Sequence, residues 1–88
     1  MKVHFLISGD VQGVNFRYYS RRMAEQLGLK GFVKNTFDGK VEIHIEGDDS
    51  AVKEMIAWVK KGPSSAYVTD VEKIDCYCKS FKKFDVLY

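Results

Sequence analysis

Hydrophobic and polar positions alternate from the start of the chain. Val3, Phe5 and Ile7 stand between Lys2, His4, Leu6 and Ser8, so residues 2–8 read as a strand, with Leu6 as the exception. Gly9 and Gly13 bracket a short loop, and the period then changes. Phe16, Tyr19, Ser20, Met23, Ala24 and Leu27 recur at three- and four-residue spacings, which puts them on one stripe of a helix. Gly28 is suited to end that helix in a left-handed conformation, with Leu29 supplying the apolar contact behind it. Lys30 to Phe37 read as a second strand and Asp38-Gly39 as a hairpin turn. Val41, Ile43 and Ile45 alternate with Glu42, His44 and Glu46 in a third strand. Asp48, Asp49 and Ser50 offer N-caps for a second helix, which carries Val52, Met55, Ile56 and Val59 on one face and stops at Gly62-Pro63. Ala66 to Tyr88 reads as extended: Ile74, Cys76 and Cys78 alternate with Asp75, Tyr77 and Lys79, and a short last strand falls at Phe84 to Tyr88.

The element order is β-α-β-β-α-β with an extra late strand. It predicts the α+β class: a ferredoxin-like sandwich in which both helices pack on one face of an antiparallel sheet. A chain of 88 residues makes one domain, residues 1–88. Such a chain buries only about 60–65% of its extended surface, so its core must be efficient. With 45% hydrophobic and 30% charged residues it is neither a disordered tail nor a membrane segment. No apolar run approaches the roughly 18–20 residues that span a bilayer, and no leader pattern opens the chain, so a cytoplasmic protein is expected. The two cysteines fit that compartment. Two apart in a strand, Cys76 and Cys78 leave the same face roughly 6.5–7 Å apart, a poor geometry for a disulfide, and they are too few for a structural zinc site. They read as buried or half-buried thiols, and no metal site is expected.

Charge adds a direction. The net charge is +2, but residues 11–41 hold six basic side chains (Arg17, Arg21, Arg22, Lys30, Lys34, Lys40) against Glu25 and Asp38. A local positive field of this size suits a small anion better than a nucleic acid. The loop between first strand and first helix, Gly9-Asp10-Val11-Gln12-Gly13-Val14-Asn15-Phe16-Arg17, is the natural receptor. A loop entering a helix presents unpaired N–H groups and the positive end of the helix dipole, and its glycines let the backbone approach a ligand. Lys-Ser or Lys-Thr does not follow, so this is not a Walker loop. Three arginines near a helix N-terminus oppose the dipole. Arg21 and Arg22 read as solvated surface charges, whereas Arg17 adjoins the loop and has a fork that matches phosphate oxygens. Asn35 is a poor strand former inside a β-prone run. It reads either as an early start of the turn or as a functional carboxamide. In the predicted fold the first and second strands are parallel with the third between them. Asn35 then emerges at the same edge as the loop, roughly 9–10 Å away, where its carboxamide can hold a water.

At these residues the sequence resembles the acylphosphatases, hydrolases of carboxyl-phosphate mixed anhydrides. Residues 9–17 are similar to the first signature of that family. Residues 31–47, G-F-V-K-N-T-F-D-G-K-V-E-I-H-I-E-G, are similar to its second. Gly62-Pro63 with Ala66 and Val68, and the end from Phe84 to Tyr88, continue the likeness over essentially the whole chain. The resemblance implies a ferredoxin-like fold, no metal or cofactor, a phosphate cradle made by the backbone of Val11, Gln12, Gly13, Val14, Asn15 and Phe16, phosphate binding by Arg17, and a water oriented by Asn35. Asp10 departs from the family, where many members carry a non-acidic residue, and it is expected to face solvent.

Both readings converge on one scheme. Loop amides and Arg17 bind the phosphoryl group and stabilise its charge, and Asn35 holds water in line with the breaking P–O bond. The products are a carboxylate and inorganic phosphate. Neither histidine falls in a motif, so no protein base is expected. Expected ligands are a small acyl phosphate and inorganic phosphate or other small anions; the chain is expected to be a monomer, away from membranes and nucleic acid. Lys30-Gly31-Phe32 with Phe37 is similar to the ends of the aromatic octamer of RNA-recognition domains, but Val33, Lys34 and Asn35 break its interior. The other alternative is a non-catalytic phosphate-binding or interaction domain of the same fold. Arg17, Asn35 and the initiating methionine of a short chain favour a free-standing enzyme.

Overall fold

The computed structural model describes residues 1–75 and 80–87. Among these residues the elements are β1 (Lys2–Asp10), α1 (Phe16–Gln26), β2 (Lys30–Asn35), β3 (Val41–Glu46), α2 (Asp49–Lys61), β4 (Tyr67–Lys73) and β5 (Phe84–Leu87). The strands form one sheet in the order β4-β1-β3-β2-β5. Neighbours from β4 to β2 are antiparallel, as predicted for the ferredoxin-like plan. β5 lies parallel to β2, so the sheet as a whole is mixed. The late strand is responsible: it joins the sheet at the edge opposite β4.

The alternation in sequence explains the helix-covered face. Val3, Phe5 and Ile7 of β1 stand opposite Ile45, Ile43 and Val41 of β3, and Gly31, Val33 and Asn35 of β2 continue the same three rows. These apolar side chains are buried together with Phe16 and Ala24 of α1 and Val52, Met55 and Val59 of α2. Full burial of each large side chain contributes about 1.5–3 kcal/mol. α1 packs over β2 and β5, α2 over β4, and Phe16 joins the helices by packing on Trp58, with ring centroids 5.7 Å apart. Ser20 and Ala24 are the small residues that let α1 approach the sheet. Tyr19, placed on the same stripe by its spacing, lies at the edge and is 40% exposed. The helix ends as its glycine predicts. Gly28 has φ 70°, its N–H donates to the Glu25 carbonyl at 3.2 Å, and the Leu29 N–H donates to the Ala24 carbonyl at 2.8 Å.

One expectation needs correction. β2 ends at Asn35, and residues 36–40 form a turn closed by the Thr36 N–H donating to the Lys40 carbonyl at 2.8 Å. Phe37 stands at the tip of that turn, fully exposed, so its apolar character extended the strand by two residues too many. The face of the sheet away from the helices is covered as well. His4 and His44 are opposite one another and fully buried, and Glu46 is nearly so. His4 Nε2 donates to the Glu42 carboxylate at 2.7 Å, and the two Nδ1 atoms lie 3.3 Å apart, so one ring donates to the other. Phe32 and Phe81 pack on the His44 ring, and the Phe81 N–H donates to Glu46 at 2.8 Å. Alternation marks two different faces; it does not reveal that a returning segment covers the polar one. The expectations for Cys76 and Cys78, for the alternation through Lys79, and for Tyr88 lie outside the described residues. No helix among the described residues is long and apolar enough to cross a membrane.

Candidate active site

The topology brings two distant segments together. β1 and β2 run parallel on either side of β3, so their C-terminal ends open at the same edge. The loop of residues 11–15 leaves β1 there. Asn35 ends β2 in the row Ile7–Val41–Asn35, on the face that the helices cover. The loop residues thus sit close to the Asn35 side chain although twenty residues separate them in sequence.

The loop is held at both ends and turned in the middle. Val11 and Phe16 are each 1% exposed and anchor it in the core. Between them Gly13 has φ 75° and Asn15 φ 64°. A Cβ on Gly13 would meet nothing, so glycine is needed there for conformation and not for space. Asn15 is among the few non-glycine types that tolerate the left-handed region. Left-handed residues interleaved with ordinary ones curl a backbone so that successive N–H groups converge on one side, a shape that receives anions. Ser65 Oγ donates to the Val14 carbonyl at 2.6 Å, and across a trans peptide this turns the Asn15 N–H to the opposite side. Asn15 is the N-cap of α1 but makes no side-chain capping bond, and the first turn holds no acidic residue. The first intrahelical bond runs from the Tyr19 N–H to the Asn15 carbonyl at 3.1 Å. The N–H groups before it are those a bound anion would satisfy.

A cavity of about 300 Å³ lies at this point, lined by Val11, Gly13, Asn15, Phe16, Arg17, Tyr18, Arg21, Asn35 and Val86. It therefore gathers Arg17, Asn35 and four of the six loop residues expected from sequence. Gln12 and Val14 stand between lining residues: the Gln12 side chain is directed to the β2–β3 turn, and the Val14 carbonyl to Ser65. Arg17 is half-buried, and its Nη1 donates to the Leu87 carbonyl at 3.0 Å, which ties the guanidinium to the end of β5. Asn35 is half-buried, and its carboxamide makes no hydrogen bond among the described residues. Asp10 is exposed, in register with Tyr67, and does not line the cavity.

Three lining residues were not singled out by sequence. Val86 arrives because β5 lies beside β2, a pairing that no local pattern announces. Tyr18 is 54% exposed at the mouth. Arg21 is exposed as expected, and pairs with Glu25 one turn on at 3.3 Å, yet it also borders the cavity. Its position one turn beyond Arg17 was the available signal. Both histidines lie on the far face of the sheet, and among the described residues the cavity lining contains no carboxylate or imidazole. Among the described residues no three His, Cys, Asp or Glu side chains gather as a metal-binding group.

The model of the acylphosphatase family matches residues 3–86. The chain belongs to the acylphosphatase family. The matched span contains the loop, Arg17 and Asn35. An acylphosphatase of Thermotoga maritima is 44% identical over 82 residues, which are 93% of this chain and 91% of that one. An acylphosphatase of Archaeoglobus fulgidus is 43% identical over 82 residues, 93% of this chain and 92% of that one. Among solved structures, the acylphosphatase from Bacillus subtilis superposes with a TM-score of 0.90 at 34% identity, covering 99% of this chain and 98% of that one. The family fold thus accounts for the four antiparallel strands, both helices and the parallel fifth strand together.

Proposed function

We propose that this protein hydrolyses acyl phosphates to a carboxylate and inorganic phosphate, with Arg17 and the backbone of residues 11–16 holding the phosphoryl group and Asn35 orienting the attacking water. Membership of the acylphosphatase family supports the reaction class. The observation that carries the assignment of roles is the single cavity that joins a helix N-terminus, a guanidinium and a carboxamide.

Each part has a separate task. The converging N–H groups and Arg17 face oxygens on which charge develops as the phosphoryl group transfers, and they are in place before reaction. Asn35 can accept a hydrogen bond from water and donate one to a phosphate oxygen, which fixes the water near the phosphorus. Water oxygen forms the new P–O bond, the bond from phosphorus to the carboxyl oxygen breaks, and the carboxylate leaves with the electron pair. The water proton passes to a phosphate oxygen of the substrate, in keeping with a cavity lined, among the described residues, by neither carboxylate nor imidazole. A carboxylate is a weak base, so the leaving group needs no proton. The ligands are small acyl phosphates and inorganic phosphate. The protein acts as a single-domain monomer in the cytoplasm and makes no use of nucleic acid or membrane.

The test is phosphate release from benzoyl phosphate by the wild-type protein without added metal. Turnover that saturates and is inhibited competitively by inorganic phosphate is expected. A folded wild type that binds phosphate and releases none would overturn the reading in favour of a binding domain.

A further inference from the structure

The cavity explains why loop residues and Asn35 are needed, but not what fixes the distance between them. They belong to different segments, and Asn35 stands on the last residue of a strand that runs into an exposed turn. A reaction in which one segment holds the phosphoryl group and the other holds the water depends on that distance. A displacement of about 1 Å can cost on the order of 100-fold in rate.

Gln12 spans the gap. Its side-chain nitrogen donates to the Thr36 carbonyl at 2.8 Å and to the Lys40 carbonyl at 2.7 Å. A carboxamide has two N–H groups, and both are used. The two carbonyls bracket the β2–β3 turn. Lys40 also accepts from the Thr36 N–H at 2.8 Å, and its own N–H donates to the Thr36 hydroxyl at 3.0 Å, so the turn is a closed unit that moves as one. Thr36 follows Asn35 directly, and Asn35 is paired with Val41 on the other side of the turn. Holding Thr36 and Lys40 therefore holds the backbone that carries the Asn35 side chain. At its other end Gln12 lies between buried Val11 and left-handed Gly13, inside the anion-receiving loop. It does not line the cavity itself.

We infer that the Gln12 side chain is a positioning residue that ties the phosphate loop to the β2–β3 turn and so sets the separation between the bound phosphoryl group and the water held by Asn35. This rests on the hydrolytic reading above. It assigns Gln12 a task beyond its backbone: it acts on catalysis through Asn35 and not by touching substrate. The requirement is for two N–H donors on a three-bond arm. Glutamate has the same shape and no donor when ionised, and would set its charge against two carbonyl oxygens.

The experiment is a double-mutant cycle with benzoyl phosphate. Gln12→Ala and Gln12→Glu are made in the wild type and in Asn35→Ala, and folding of each is checked by circular dichroism. kcat, KM and the inhibition constant of inorganic phosphate are measured for all six proteins. In the wild-type background both Gln12 variants should lower kcat by about 10–100-fold, with the phosphate inhibition constant changed less than about threefold. In the Asn35→Ala background the same substitutions should cost less than about threefold, because the residue they position is already gone. Equal losses in both backgrounds would overturn the inference, since a general weakening of the fold does not depend on Asn35. So would a loss that appears in phosphate binding instead of kcat, or a Gln12→Glu protein that turns over like the wild type. Absence of turnover in the wild type itself would instead defeat the hydrolytic reading and this inference with it.

Discussion

Replacing Arg17 by alanine separates catalysis from stability in a way the structure makes quantitative. The guanidinium donates to the Leu87 carbonyl, at the exposed end of β5, and it borders the cavity. That bond contributes about 1 kcal/mol to the fold, since the exposed Leu87 carbonyl regains water when the donor is removed. For an 88-residue domain the loss of that bond lowers the midpoint of thermal unfolding by about 4–8 °C. The effect on the reaction is much larger. A guanidinium forking two phosphoryl oxygens makes two charge-assisted hydrogen bonds, each contributing about 1.5–3 kcal/mol. Their loss corresponds to a fall in kcat/KM of about 10²–10⁴-fold. Arg17→Lys keeps the charge but not the fork, and should lie between the two. The assay is initial phosphate release from benzoyl phosphate over a range of concentrations, beside a thermal melt of each variant. An Arg17→Ala protein that melts near the wild type and keeps kcat/KM within about threefold would refute the reasoning, because the guanidinium would then contribute nothing to holding the phosphoryl group.

Three further outcomes follow from the geometry. Burial foremost, and then the charge of His4, hold the His44 imidazole below its ordinary pKa, while Glu46 pulls the other way. The unfolded chain therefore takes up the proton first, and stability should fall as pH drops from about 7 toward 5.5, a slope that flattens in His44→Phe; equal slopes would contradict this. Ser20 is fully buried in α1, and its hydroxyl makes no hydrogen bond among the described residues, so Ser20→Ala should raise the melting midpoint by about 4–8 °C for a gain of about 1 kcal/mol, and a lower midpoint would contradict that. Gly13→Ala has room for its methyl group but must hold φ 75°, at a strain of about 1–2 kcal/mol. It should weaken inhibition by inorganic phosphate about 5–30-fold, whereas Gly13→Asn should weaken it less, and phosphate affinities in the reverse order would count against the loop geometry.

Much of this molecule is legible in its sequence because local rules agree with the fold. The alternation of Val3, Phe5 and Ile7, the helical stripe of Phe16, Ser20 and Ala24, and the stop at Gly28 each state a face or an end, and each is found where its pattern puts it. The place of Asn35 beside the loop follows from topology alone, because parallel first and second strands open at one edge. What the pattern misses depends on contacts between distant segments. The burial of His4, His44 and Glu46 is not foreseen because nothing local says that Phe81 packs over that face. Phe37 looks like a strand residue because exposure at a turn tip leaves no mark on the alternation. Val86 enters the cavity through strand pairing, and Gln12 acts through carbonyls 24 and 28 residues away. A side chain whose partners are backbone carbonyls has no sequence signature, since every residue supplies one.

The central claim is a division of labour within one cavity, and Asn35→Ala tests it most directly. kcat on benzoyl phosphate and the inhibition constant of inorganic phosphate are measured on the same folded preparation. A fall in kcat of about 100-fold or more, with phosphate affinity within about threefold of the wild type, is the predicted result. Turnover close to the wild type, or a loss of phosphate affinity as large as the loss of rate, would contradict the account.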